Sequence, residues 1–187
     1  MAWNCRQRFN DNADALLGLL PDIAVVPECA DQPARAGQPG VPFVWSGESS
    51  PKGLGVTGFN GWVLNCADGP RMSGVLPLVV SGPGTRPLML LAVWTKKKLG
   101  SSYTSQVADV VEVWGDRFGE RAVDAGNFNA SVLGLSAKRD MKNVERLGKL
   151  GMRSVGGGPG RPPTRGVVQG CASITPQATG NGPSIPS

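Results

Sequence analysis

The stretch Ala122–Asn129, Ala-Val-Asp-Ala-Gly-Asn-Phe-Asn, reads as a short buried strand running into a glycine turn, with Asn127 and Asn129 held at the strand's end. Strand ends of this kind in α/β proteins gather ligands and catalytic groups. A second polar point follows another apolar run, where Ile23-Ala-Val-Val26 leads into Pro27-Glu28-Cys29. A carboxylate beside a buried strand is costly without a partner, commonly a metal or another cation. Glu28 is therefore a candidate ligand as well as an ordinary loop acid. Lys96-Lys97-Lys98 could clasp phosphate, and it suits a solvated loop equally well. Tyr103 and Gln106 stand at a helix start, on the side facing the preceding strand's end. The chain contains no His, and none of its four cysteines (Cys5, Cys29, Cys66, Cys171) forms a CxxC pair. No histidine is there to complete a zinc site. The cysteines read as reduced thiols, with a Cys5–Cys29 disulfide as the alternative.

Several elements must position these groups. Residues 2–5 suggest a strand ending at a polar position. A helix capped by Asn12 or Asp11 follows, with Ala13, Leu16, Leu17, Leu19 and Leu20 as its apolar face and Pro21-Asp22 as its stop. Ile23–Val26 has the continuous apolar character of a strand buried on both faces. Asp31–Ser50 reads as a loop containing a short strand at Phe43–Trp45. Lys52–Val56, Trp62–Leu64 and Val75–Val80 look like strands of a meander, with Pro77 pushing the last toward an edge or a bulge. Leu88–Trp94 is a long buried strand. Three short strands before a long apolar one predict an antiparallel or mixed sheet rather than a doubly wound parallel one. Val107, Val110, Val111, Trp114 and Phe118 form one helical stripe between Ser102 and about Phe118. Met141, Val144, Leu147 and Leu150 predict a last helix, stopped by Gly151.

With 187 residues and 40% hydrophobic content, the chain is long enough for one domain with a substantial core. No apolar run approaches the ~20 residues that span a bilayer, and no signal peptide is read at the N-terminus. A cytoplasmic monomer without membrane association is expected. The net charge of +5 is uneven. After Glu145 there is no acid, while Arg146, Lys149, Arg153, Arg161 and Arg165 follow; without these five the remaining Lys and Arg equal the 14 Asp and Glu. The high pI thus describes the tail and is poor support for a nucleic-acid-binding face. Residues 156–187, rich in Gly and Pro, carry too little apolar surface to offset the entropy of ordering and are expected to be disordered.

Trp3-Asn4-Cys5, Pro21-Asp22-Ile23, Pro27-Glu28-Cys29, Lys52-Gly53-Leu54-Gly55-Val56, Leu90-Leu91-Ala92-Val93-Trp94 and Gly126-Asn127-Phe128-Asn129 occur in this order. The ordered set resembles the endonuclease/exonuclease/phosphatase superfamily, with the closest match to short bacterial members, over residues 1–155. The resemblance implies an α/β (α+β) fold, a four-layer αββα sandwich of two mixed sheets. It also implies a divalent-metal-dependent phosphoesterase site at the strand ends. On that basis Asn4 and Glu28 match the metal-binding pair, for Mg²⁺ or Mn²⁺. Asn129 matches the Asn that supports charge on the scissile phosphate, and it is both a catalytic and a substrate-binding candidate. Tyr103 and Gln106 resemble a supporting and phosphate-contacting pair. The implied substrate is a phosphate ester, nucleic acid among the choices.

Three departures from the family pattern accompany this. Asn127 stands where the motif has the Asp that orients or deprotonates the attacking water, and an amide lacks the basic lone pair for that task. The His that works with this Asp has no counterpart. The resemblance stops near Ser154-Val155, which reads as a domain incomplete at its C-terminus, either frame-shifted or naturally truncated with a disordered extension. Impaired hydrolysis, or a catalytically dead remnant that binds metal or phosphate, is expected. Unpaired edges in the second sheet and marginal stability are expected with it.

Overall fold

The computed structural model describes residues 1–31, 40–97, 99–119, 121–129, 137–155 and 173–176. In chain order the elements are α1 (Phe9–Leu17), β1 (Ile23–Cys29), β2 (Phe43–Ser49), β3 (Lys52–Gly58), β4 (Val63–Cys66), β5 (Val75–Ser81) and β6 (Leu88–Trp94). Then come α2 (Tyr103–Trp114) with a 3₁₀ turn (Gly115–Arg117), β7 (Ala122–Asn127), α3 (Ala137–Lys149), β8 (Met152–Val155) and β9 (Ser173–Pro176). Two sheets result, ordered β1-β3-β2 and β4-β5-β6-β7-β9-β8. The first is antiparallel apart from a parallel bridge between Ala2 and Val25. The second is mixed, because β6 and β7 run parallel. Leu88–Trp94 takes the expected bounds, and the meander reading of β4 and β5 also holds.

The sheets pack face to face, with Val25, Leu54 and Val56 meeting Leu78, Val80, Leu90, Ala92 and Trp94. Outside the first sheet, Phe9, Ala13 and Leu16 of α1 cover Ala24, Val26 and Cys29. Outside the second, Val107, Val110 and Trp114 of α2 cover Leu91 and Val93. This is the four-layer αββα arrangement. Strands in the middle of it are buried on both faces, which is why β1 and β6 read as unbroken apolar runs. The Gly-Leu-Gly pattern of β3 has its own reason: Leu54 points into the core, while a Cβ on Gly53 would lie 2.3 Å from the Trp45 ring. The glycines leave room for aromatic side chains lying across the strand.

The structure corrects several sequence expectations. Residues 2–5 form one bridge rather than a strand, since the chain turns at once through Arg6 and Gln7, both at positive φ. Helix α1 begins at Phe9, earlier than an Asp11 or Asn12 cap allows, and no side chain caps it; Asp11 instead pairs with Arg8. It ends at Leu17, so Leu19 and Leu20 lie beyond it and are exposed. Pro77 sits inside the second sheet, not at its edge. Its carbonyl accepts from the Ala67 N–H just past the end of β4, so its missing N–H falls where that ladder has run out.

Among the described side chains of α3, Asp140, Asn143 and Leu147 are buried, while Met141 and Val144 are half exposed. The polar pair is satisfied by α2. Thr104 Oγ1 donates to Asp140 Oδ1 at 2.6 Å, and Asn143 Nδ2 donates to the Thr104 carbonyl at 2.9 Å. Within the segment expected to be disordered, Ser173–Pro176 forms β9, pairing with β7 on one side and β8 on the other. β7 is thus paired on both sides, and the rest of 156–187 lies outside the described residues. No helix among the described residues is long and apolar enough to cross a membrane.

Candidate active site

Two strand ends and one helix start build the site. At the first, β1 carries a bulge between Pro27 and Cys29. Glu28 occupies it at φ +62°, a conformation costly for a non-glycine residue. The bulge takes Glu28 out of the ladder and aims its carboxylate into a cleft. Oε1 accepts from Asn4 Nδ2 at 3.3 Å, and Oε2 lies 3.6 Å from Lys52 Nζ. Asn4 turns its side-chain oxygen the other way, accepting from the Arg6 N–H at 2.9 Å.

At the second strand end, Gly126 has φ +156°, and a Cβ there would lie 1.8 Å from the Val93 carbonyl oxygen. Only glycine lets β7 approach β6 so closely before turning. Asn127 follows, buried, its Oδ1 accepting from the Asn129 N–H at 3.1 Å. Asn129 at φ +46° donates from Nδ2 to the Thr95 carbonyl at 2.9 Å. Thr95 Oγ1 donates to the Phe128 carbonyl, tying the two strand ends together.

Helix α2 supplies the third part. Ser102 caps it, with reciprocal bonds between Ser102 and Ser105, so Tyr103 is fixed at the first helical position. Gln106 accepts from the Lys96 N–H at 3.0 Å and donates back to the Lys96 carbonyl. Its amide thus holds the chain just past β6.

Glu28, Tyr103 and Asn129 line one cleft of about 400 Å³. Asn4 joins them through Glu28, and Asn127 through Asn129. Gln106 lines an adjoining hollow instead. The structure adds groups not singled out from sequence as cleft residues: Lys52 and Glu48 on the β2–β3 hairpin, and Trp94 at the end of β6. Of the lysine run, Lys96 and Lys97 line the cleft, and Lys98 lies outside the described residues. Lys96 Nζ lies 3.5 Å from Glu48 Oε1 and 4.6 Å from the centre of the Trp94 ring. Lys52 Nζ lies 5.6 Å from the same ring. The available signals were polar residues at the ends of apolar strands, at the start of β3 and after β6.

Asp124 is not part of this cleft. It pairs in register with Leu91, on the face packed against α2, whereas Asn127 pairs with Trp94 on the opposite face. It is fully buried and its Oδ1 has no hydrogen-bond partner among the described residues; burial pushes its carboxyl up to about 8. The free thiols Cys5 and Cys29 are buried under α1, and burial raises both, Cys29 to about 12.

Among the described residues no group of three or more His, Cys, Asp or Glu gathers as a metal cluster. A hard cation can nevertheless be held by one or two carboxylates together with a substrate's phosphate oxygens. Glu28, half-buried and met by Asn4 Nδ2 and Lys52 Nζ, fits that minimal role; Asn4 presents its N–H rather than its oxygen.

Several solved structures share this fold. The endonuclease domain of TRAS1, a telomere-specific non-LTR retrotransposon, superposes with a TM-score of 0.67 at 14% identity, covering 94% of this chain and 83% of that one. An AP endonuclease from Archaeoglobus fulgidus gives 0.64 at 13% identity, over 91% and 82% of the two chains. The chain shares the αββα fold of these nucleases. The 3′ phosphatase NExo from Neisseria, solved with a product DNA hairpin, matches at 0.55 and 21% identity over 81% and 70%. No family model and no curated protein matches the chain.

Proposed function

We propose that the cleft takes a phosphate ester and that the chain is a metal-dependent phosphoesterase of impaired activity. One observation carries this reading: Glu28, Tyr103 and Asn129, brought from three separate elements, line a single cleft. When bound at Glu28, Mg²⁺ or Mn²⁺ would neutralise charge on the phosphoryl group. Asn129 offers an amide N–H toward the same space, and the Tyr103 hydroxyl can donate to a phosphate oxygen. Gln106 acts through the backbone of Lys96. Asn127 orients the turn by its bond to Asn129 but cannot take a proton from water. The chain has no His, and Asp124 faces the other side of the sheet.

Asn127→Asp is the decisive variant. With Mg²⁺ or Mn²⁺ and a generic phosphodiester, it should raise turnover by roughly 10²–10⁴-fold, the range for a positioned acid or base. Glu28→Gln in the same background should abolish the gain. A flat response to Asn127→Asp defeats the reading.

A second reading, a non-catalytic phosphate- or metal-binding module, draws on the Glu28–Lys52 pair. The carboxylate already has a cation beside it.

A further inference from the structure

The cleft holds more positive charge than the neutralisation of its acids requires. Lys52, Lys96 and Lys97 face Glu28 and Glu48 among its described lining residues. Lys52 opens β3 in the first sheet and Lys96 follows β6 in the second, so the two ammonium groups reach the cleft from opposite layers. Both lie within cation–π range of the single Trp94 ring. Their carboxylate partners stand at 3.6 Å and 3.5 Å. Tight charge-assisted bonds run at about 2.7–2.9 Å. These are loose pairs, and each ammonium has three N–H donors to distribute. Lys96 is also positioned before any ligand arrives, because Gln106 bonds both its N–H and its carbonyl.

We propose that Lys52 and Lys96 form a clamp for a phosphate-group anion that works without a bound metal. The ring holds the ammonium groups over a partly desolvated surface, where an anion's attraction is screened less than in bulk water. A phosphate group, with oxygens on several sides, can accept from both ammonium groups at once. The clamp rests on the cleft being the phosphate-ester site, yet it makes no use of Asn127 or of hydrolysis.

The test is calorimetric titration of the purified full chain in EDTA at low salt. Inorganic phosphate and dimethyl phosphate are the probes, since a free anion and an ester's phosphoryl group share this chemistry. Binding of either supports the clamp, and the tighter probe names the source. Lys52→Met and Lys96→Met should each weaken binding by at least about tenfold, the scale of one charge-assisted hydrogen bond. Lys52→Arg should restore most of it, and Lys138→Met on exposed α3 should change nothing. The indole N–H resonance of Trp94, assigned with Trp94→Phe, should shift on adding phosphate.

Loss of binding in EDTA, or methionine variants that fold and bind like the parent, overturns the clamp. Metal-dependent turnover by Asn127→Asp without metal-free binding removes the clamp and leaves the phosphoesterase reading. Metal-free binding that needs both lysines, with no turnover in any variant, leaves the clamp and removes that reading.

Discussion

The ends of β1 and β7 solve the same steric problem in opposite ways. Each strand has a positive-φ residue one position before its last paired residue, Glu28 in one and Gly126 in the other. Each also carries one acid. In β1 the acid occupies the strained position itself, so the bulge delivers Glu28 to the cleft, where Asn4 and Lys52 meet it. In β7 the strained position is a glycine, and the acid, Asp124, lies two residues earlier on the helix side. The face it occupies follows from the period of two along a strand. An amide, Asn127, reaches the cleft side instead. One strand end spends backbone strain on placing a charge, and the other on a close approach between strands.

The largest effect separating the two ends concerns their acids. Asp124 is raised from 3.8 to about 8 by burial, so between those values the folded state binds a proton that the unfolded state has released. Stability should therefore fall as pH rises from about 4 to about 8 and level off above, by several kcal/mol in total. Urea unfolding across that range checks this, and Asp124→Asn should flatten the profile and be the more stable protein at high pH. A pH-independent parent would mean that Asp124 finds a partner.

Next is Gly126→Ala. A Cβ 1.8 Å from the Val93 carbonyl oxygen forces β6 and β7 apart, so a loss of about 3 kcal/mol or more is expected in thermal unfolding. Glu28→Gly has the opposite sign. Relieving a non-glycine residue at φ +62° should gain about 1 kcal/mol while removing the cleft's central carboxylate. If both glycine changes destabilise, the bulge is not strained and the contrast between the strand ends fails. The smallest effect belongs to α3: Met141→Lys should shift stability by no more than about 0.5 kcal/mol, because Met141 is half exposed.

Much of this layout was legible in sequence because it depends on local rules. The unbroken apolar runs of β1 and β6 announced strands covered on both faces. The stripe from Val107 to Trp114 announced a helix lying on a sheet. The ordered short motifs, from Trp3-Asn4-Cys5 to Gly126-Asn127-Phe128-Asn129, pointed to the fold without any coordinates. In α3 the apolar periodicity misled, since Met141 and Val144 look like core positions. Asp140 and Asn143 took the buried face because Thr104 of α2 satisfies their polar groups. That partner lies more than 30 residues away, and no window along the helix contains it.

By itself the sequence determined the types of the main elements, from α1 and β1 to β7, the glycine demanded at 126, the missing His and the amide at 127. Each of these is a property of one residue or of a short period. The tertiary structure alone decided that a bulge turns Glu28 into the cleft and that Asp124 is shut behind the sheet. It alone brought Lys52 and Lys96 from different sheets to one tryptophan ring. It also placed Ser173–Pro176 between β7 and β8. Side-chain aim and charge pairing depend on register and on which layers meet, and both are set by contacts between distant parts of the chain.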